Sequence, residues 1–529
     1  MVQKRKSRAF NPRYESPNQG TLFGFEHPFE RELDMSNRWV VLSKLIPWDE
    51  LCNIYYRQVG KFTTGRDPLN PRIILGALII KYLCHLDDRE AVAQMSENIY
   101  MQYFLGYPSF INEQPFDASL YVTIRKKLGM ETINLINERI IQLRAKFESE
   151  NNDPPSPPTT GTAPLADANG GDVSGEVQAS SDVDTSGAEV QEAIVHKGSV
   201  IFDATACPQD IAFPTDLDLL SDAREKSEEL IDKLYTEALH GVKPRTYRKI
   251  ARKEYLKTAQ KRKKTKEEVR LAIGKQLRYL SRNLRTIDKL LDSYAVIPLS
   301  RKDLKYYYVI QTLYAQQQEM YRTRTHRIDD RIVSIHQPHV RPIVRGKAKA
   351  EVEFGSKIHL SLIDGYSFLD ELSWDAFNEG SHMEQYVESY RRRFGFYPKQ
   401  VLADKIYCTR ENRKMLKDKG IKLVAKPLGR PSAVPIHVSP GERNPIEGKF
   451  GQAKTAYGLD RIRARLKDTS ESWIAGIILV LNLVKLAGAE ALCTIRSMCN
   501  YLLFGYWVVA MEVSFYHHGH TQIKKWTKS

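Results

Sequence analysis

Residues 148–195 set the first limit on what this chain can fold into. They contain the run Pro154-Pro155-Ser156-Pro157-Pro158, many Gly, Ser, Thr and Ala, ten acids and no Lys or Arg. Such a stretch buries too little apolar surface to offset the entropy lost on ordering it. It reads as a disordered acidic linker over 148–197. The chain is thereby divided into a shorter N-terminal part and a longer part beginning near His196. At 529 residues the whole has room for about two to four domains.

The N-terminal part reads as all-helical. Residues 1–35 are polar and suit a flexible arm. From 36 to 147 the pattern turns helical. Asn70-Pro71 is a helix start, with Asn at the cap and Pro in the first turn. The run Ile73 to Leu83 supplies the apolar face. Asp87-Asp88-Arg89-Glu90 reads as a capping box, and further helices begin near Phe116-Asp117 and near Thr132. Short helices with tight turns suit a helix-turn-helix-like DNA-binding module. A plain helical bundle used for dimer contacts fits the same pattern.

Beyond the linker the period alternates between strand and helix. Val200 to Ala204 is an apolar run holding Asp203. Asp222 to Leu239 reads as a helix and opens a helical insertion over about 222–330. Between Lys243 and Lys289 there are eighteen Lys/Arg and four acids, with apolar residues at helical spacing. That points to long basic helices. A solvated face would mix the signs more evenly, so the imbalance favours phosphate contact by Lys249, Arg252, Lys253, Lys261, Arg262, Lys263 and Lys264. Ser356 to Asp364 alternates as a strand, Gly365 turns, and Phe368 to Phe377 returns. A helix over His382–Arg393, a strand over 400–403, a helix closed by Gly420, a strand over 421–425 and a helix closed by Gly458 follow. The order β, helical insertion, ββ, α, β, α, β, α fits an α/β fold with an RNase H-like core over 198–490, followed by a tail over 491–529.

Three carboxylates carry the candidate chemistry. Asp203 and Asp404 each end an apolar run, and Glu447 opens a helix-like stretch. Strand-end carboxylates plus one on a helix are how a fold gathers hard oxygen ligands for Mg²⁺. A metal pair so held can activate the attacking oxygen and stabilise the leaving one in phosphodiester transfer. Taken singly, each acid is an ordinary turn or cap residue, and Asn444-x2-Glu447 is itself a capping-box pattern. Asp210, Asp216, Asp218 and Asp364 are equally eligible by type. More specific is Arg443-x3-Glu447-x6-Lys454. Positions seven apart share a helix face, so Lys454 lies two turns from Glu447, placed to hold a phosphate beside the scissile one.

These residues resemble the DDE transposases of bacterial insertion sequences, in particular the IS-five group of the IS-four-like superfamily. The family signature reads Tyr-x2-Arg-x3-Glu-x6-Lys. Arg443, Glu447 and Lys454 match it, while the Tyr position falls on Pro440. Phe202-Asp203-Ala204-Thr205 resembles the first-Asp motif and Ala403-Asp404-Lys405 the second. Residues near 36–130, Ile343 to Lys347, and Glu353 to Asn378 are also similar to the group. The resemblance implies Asp203, Asp404 and Glu447 as catalytic ligands of two Mg²⁺ ions, with Mn²⁺ as a substitute. It implies cutting at terminal inverted repeats, 3′-OH joining to target DNA, and a homodimer in a synaptic complex. A cytoplasmic bacterial setting goes with it. A non-catalytic DNA-binding descendant and an RNase H-like nuclease are the alternatives.

The remaining features agree with this or are neutral. A formal charge of +15 favours a polyanionic partner without naming one; a basic protein with no such partner has the same charge. The cysteines Cys52, Cys84, Cys207, Cys408, Cys493 and Cys499 form no Cys-x2-Cys pair and read as reduced packing residues. No phosphate-loop motif is present, so no ATP site is expected. The basic N-terminus is followed by no signal-type apolar run. Ile474 to Leu492, interrupted by Asn482, Lys485 and Glu490, and Ser497 to Met511 read as buried elements rather than membrane spans. His336-x2-His339 and His517-His518-Gly519-His520 lack partners at zinc spacing, and Trp374 and Trp473 suit core packing.

Overall fold

A computed structural model describes residues 32–60, 69–152, 196–347, 350–425 and 440–488. Residues 1–31 of the expected arm, most of the linker, the C-terminal tail, Cys493, Cys499 and the His517–His520 cluster lie outside the described residues.

The N-terminal helices are α1 (Arg38–Leu45), α2 (Trp48–Val59), α3 (Pro71–Leu83), α4 (Asp88–Glu97), α5 (Ile99–Leu105) and α6 (Leu120–Asn152). Asn70 caps α3 as its sequence predicts, its side chain accepting from the Arg72 amide at 2.9 Å. Asp87 caps α4 by accepting from the amides of Arg89 and Glu90. The expected reciprocal half of that box is not formed, because the Glu90 carboxylate accepts from Gln94 instead. Within α6 the helix breaks at Gly129, whose φ of 66° lies in the left-handed region open to glycine. This gives the two helical runs expected there.

The strands are β1 (Ser199–Pro208), β2 (Arg341–Lys347), β3 (Ala350–Ile363), β4 (Tyr366–Ser373), β5 (Gln400–Leu402) and β6 (Lys422–Val424). The sheet runs β2-β3-β1-β5-β6, with β4 also paired to β3. β1 is antiparallel to β3 and parallel to β5, which is parallel to β6. The β3–β4 turn is Asp364-Gly365, both at positive φ, the backbone of a tight hairpin. β2 was not among the expected strands. It pairs with the first part of β3, so β3 begins earlier than its alternating pattern suggested. Gly355 lies where β3 comes closest to β1; a Cβ there would stand 2.0 Å from the Cys207 carbonyl oxygen.

Between β1 and β2 lies the helical insertion: α7 (Asp216–Leu234), α8 (Glu237–His240), α9 (Arg248–Ala259), α10 (Lys266–Leu291) and α11 (Arg301–Thr323). It encloses its own core, with Leu220, Leu230, Ile231, Leu280, Ile287, Ile310 and Leu313 almost wholly buried. After β4 come α12 (Met383–Phe394), α13 (Arg410–Asp418) between β5 and β6, α14 (Asn444–Tyr457) and α15 (Lys467–Gly488).

Strand alternation divides the sheet between two cores. Val200, Phe202 and Ile363 face α12 and α13. Cys207, Ile358, Leu360 and Leu362 face the other way, onto α14, α15 and the N-terminal helices, in one continuous core. Among the described residues, α15 is the one helix long and apolar enough to cross a membrane, with a mean hydropathy of 1.5 over its most apolar window. Here Ile474, Ile477, Ile478, Val480 and Leu481 are fully buried in that shared core, the packing role its sequence suggested.

Candidate functional site

The sheet register brings the first two acids together. Ile201 of β1 pairs in parallel with Leu402, the last residue of β5. Asp203 and Asp404 each lie two residues further on, so both side chains emerge at the same level and on the same face. Asp203 does not end its strand, as the apolar run suggested. β1 continues to Pro208, and the acid sits mid-strand, just past the point where the pairing with β5 stops. Asp404 instead begins a 3-10 turn, its carboxylate accepting from the Lys405 amide at 2.7 Å.

Glu447 comes from α14, which Ile446 and Phe450 anchor onto the same sheet face. The capping box considered for Glu447 is not formed. Arg443 occupies the cap position without a side-chain bond, and Asn444 is already helical. Glu447 is thus left to interact one turn back. The Arg443 guanidinium lies 2.9 Å from Glu447 Oε1, 2.9 Å from Asp404 Oδ1 and 4.0 Å from Asp203 Oδ2. One cation therefore joins all three acids.

Burial separates their roles. Asp203 is the enclosed member, its side chain 18% exposed, against 55% for Asp404 and 59% for Glu447. Burial raises the Asp203 pKa. The Ala204 amide and Arg443 oppose that rise, and the Asp404 and Glu447 carboxylates add to it. A buried carboxylate facing two more is a site short of positive charge, which Arg443 supplies in part.

The donor set suits a hard divalent cation in kind, being all carboxylate oxygen. In position, each carboxylate is turned onto Arg443. Among the described residues no group of three or more His, Cys, Asp or Glu stands close enough together to hold a metal ion. Arg443 was expected to face phosphate; it lies inside the acid cluster. The four-residue spacing to Glu447, an ion-pair spacing on any helix, was the signal for this. Lys454 is half-buried on α14, seven residues beyond Glu447.

Of the other expected contacts, Lys249, Arg252, Lys253, Arg262, Lys263 and Lys264 are exposed on α9 and its turn into α10. Lys261 is exposed as well but pairs with Glu268 at 2.6 Å. These residues lie on the insertion, not around the carboxylates. His336 bonds the Tyr306 hydroxyl and His339 stands edge-on to Trp374. Trp473 packs among Tyr82, Lys81 and Arg125.

Two family models match segments of this chain. Residues 401–484, which hold Asp404, Arg443, Glu447 and Lys454, match the family model described as a transposase DDE domain. Residues 27–127 match a second model, the transposase domain DUF772. Together they support a DDE transposase family. A Rhizobium meliloti protein described as "Uncharacterized protein ORF8 in nfe locus" is 32% identical over 117 residues. That match covers 21% of this chain and 54% of the relative, so the chain spans about half the relative's length. No solved structure matches.

Proposed function

We propose that this protein is a DNA transposase of the insertion-sequence type, with Asp203, Asp404 and Glu447 as its catalytic carboxylates and an RNase H-like core as their scaffold. The observation that carries this reading is the meeting of three acids from β1, the end of β5 and α14 around one guanidinium. They are distant in sequence, and two of them fall in the segment matching the transposase DDE domain. Residence in the IS-five group rests on the Arg443, Glu447 and Lys454 spacing.

The three carboxylates would hold the divalent ions, Mg²⁺ or Mn²⁺. Ions held by these carboxylates would supply activation of the attacking oxygen and neutralisation of charge on the phosphodiester. The chain's own residues do the rest. Asp203, held mid-strand and partly desolvated, is the fixed ligand. Asp404 and Glu447, more than half exposed, are free to turn from Arg443. Arg443, once the ions take over the carboxylates, and Lys454 two turns along α14 would grip terminal DNA phosphates. The basic α9–α10 region would add sequence-independent affinity. The helices over 36–147 would bind the terminal repeats or the second subunit of a homodimer.

The test is to incubate the protein with duplex carrying its element's ends and Mg²⁺ or Mn²⁺, alongside Asp203→Asn, Asp404→Asn and Glu447→Gln. Strand cleavage followed by joining, lost in all three variants, is the expected result. Cleavage without joining would assign a nuclease. Binding with no reaction would assign a non-catalytic DNA-binding protein.

A further inference from the structure

The segment after α14 alternates in a way the carboxylate site does not use. In Arg461-Ile462-Arg463-Ala464-Arg465, Ile462 and Ala464 are buried while all three arginines are exposed. The backbone is extended and fixed along the end of β1. Ile462 N donates to the Pro208 carbonyl, and Asp210 N donates to the Ile462 carbonyl, both at 2.9 Å. The buried Gln209 amide, oriented to satisfy its bonds, donates to the Ile462 and Ala464 carbonyls and accepts from Ser470. Two residues of extended chain advance about 6.7 Å. The arginines therefore stand as a row, spaced by nearly two base-pair steps of about 3.4 Å.

Their charge is only partly answered within the protein. Arg461 pairs with Asp210 at 2.9 Å. Arg463 and Arg465 have no ion-pair partner among the described residues, and Asp460 and Asp468 stand at the two ends of the row. A second observation extends the positive surface. Burial first, then Lys305 of α11, Lys467 of α15 and Arg341 of β2, disfavour protonation of His339, with Asp468 opposing them. Lys305 and Lys467 thus add positive charge near the end of the row nearest Arg465, while Arg341 is answered by Asp330 and Asp375.

We propose that Arg461, Arg463 and Arg465 form a phosphate-binding row that holds the duplex away from the reacting strand. This rests on the DNA transposase reading given above. The ten residues of α14 beyond Glu447 separate the row from the carboxylates by about 15 Å, or between about four and five base-pair steps. A duplex lying along α14 from Glu447 past Lys454 reaches the row without bending. An exposed, unpaired arginine pair on a fixed backbone is pre-ordered for anionic oxygens, and phosphate is the ligand it fits by charge and spacing.

The test is fluorescence anisotropy with a labelled duplex of about 30 base pairs and arbitrary sequence, titrated at several salt concentrations. The Arg463→Ala/Arg465→Ala double variant should bind about tenfold or more weakly, with its log–log salt slope reduced by about 2. Its melting temperature should be unchanged, because both side chains are exposed. Arg463→Lys/Arg465→Lys should keep the slope. Unchanged affinity and slope in the alanine variant would overturn the row. Wild-type protein that bound no duplex would instead overturn the DNA reading beneath it.

Discussion

Arg443 is the residue on which the site turns. Its guanidinium is the shared partner of three acids, and removing it leaves a partly buried Asp203 facing two other carboxylates. Arg443→Gln should therefore lower the stability of metal-free protein at neutral pH by about 1–2 kcal/mol, measured by urea denaturation with chelator present. The loss is modest because two of the partners are more than half exposed. His339 gives a pH signature. Burial, then Lys305, Lys467 and Arg341, depress its pKa from 6.5 to about 4, with Asp468 opposing. Between those values the unfolded chain holds more protons than the folded one. This contribution is complete above the unfolded value near 6.5 and is lost as pH falls toward 4. His339→Phe, which keeps a ring against Trp374, should flatten that part of the acid limb in denaturation midpoints measured across the range. At this scale the sequence pointed to three acids that the fold brings onto one guanidinium, but not to how each is placed. Asp203, Asp404 and Glu447 were named from short motifs. The mid-strand position of Asp203 was hidden because its neighbours beyond, Ala204 to Cys207, pair with β3, a long-range contact that local pattern does not encode.

Among the elements, those with strong local signals were readable and those set by partners were not. α3 follows from Asn70-Pro71, the β3–β4 hairpin from Asp364-Gly365, and the end of α14 from Gly458. β2 was missed because Arg341-Pro342-Ile343-Val344-Arg345 has no clean alternation; it is a strand because the first part of β3 offers it an edge. The tie between the N-terminal helices and α15 was also unreadable. Lys81 on α3, Asp88 on α4 and Arg125 on α6 form a buried ionic group, with Asp88 2.9 Å from Lys81 and 2.8 Å from Arg125. Trp473 of α15 lies against both cations, and Ser472 donates to the Arg125 carbonyl. Lys81 is fully buried and Arg125 nearly so. Asp88→Ala leaves two buried cations unanswered and should cost about 3–5 kcal/mol, read as a lowered urea midpoint with helix content retained below it.

For the whole molecule, one sheet separates two cores and presents its acids toward only one of them. The face bearing Asp203 is covered by α14, α15 and the N-terminal helices together, so the site shares a core with the segment matching the second transposase domain. The insertion keeps its own core and carries its basic residues outward. This division explains how a long basic insertion leaves the carboxylate geometry intact. The α/β class and the insertion were visible in the order of elements; the shared core was not, since it depends on apolar faces far apart in sequence. The central proposal is that Asp203, Asp404 and Glu447 would together hold a divalent metal. It is tested most directly by loading the protein with Fe²⁺, generating hydroxyl radicals with ascorbate and peroxide, and mapping the backbone cuts by mass spectrometry. Cuts clustered beside residues 203, 404 and 443–447, suppressed by excess Mg²⁺ and by Asp203→Asn, are the predicted result. Cuts confined to other segments, or unchanged in Asp203→Asn, would contradict it.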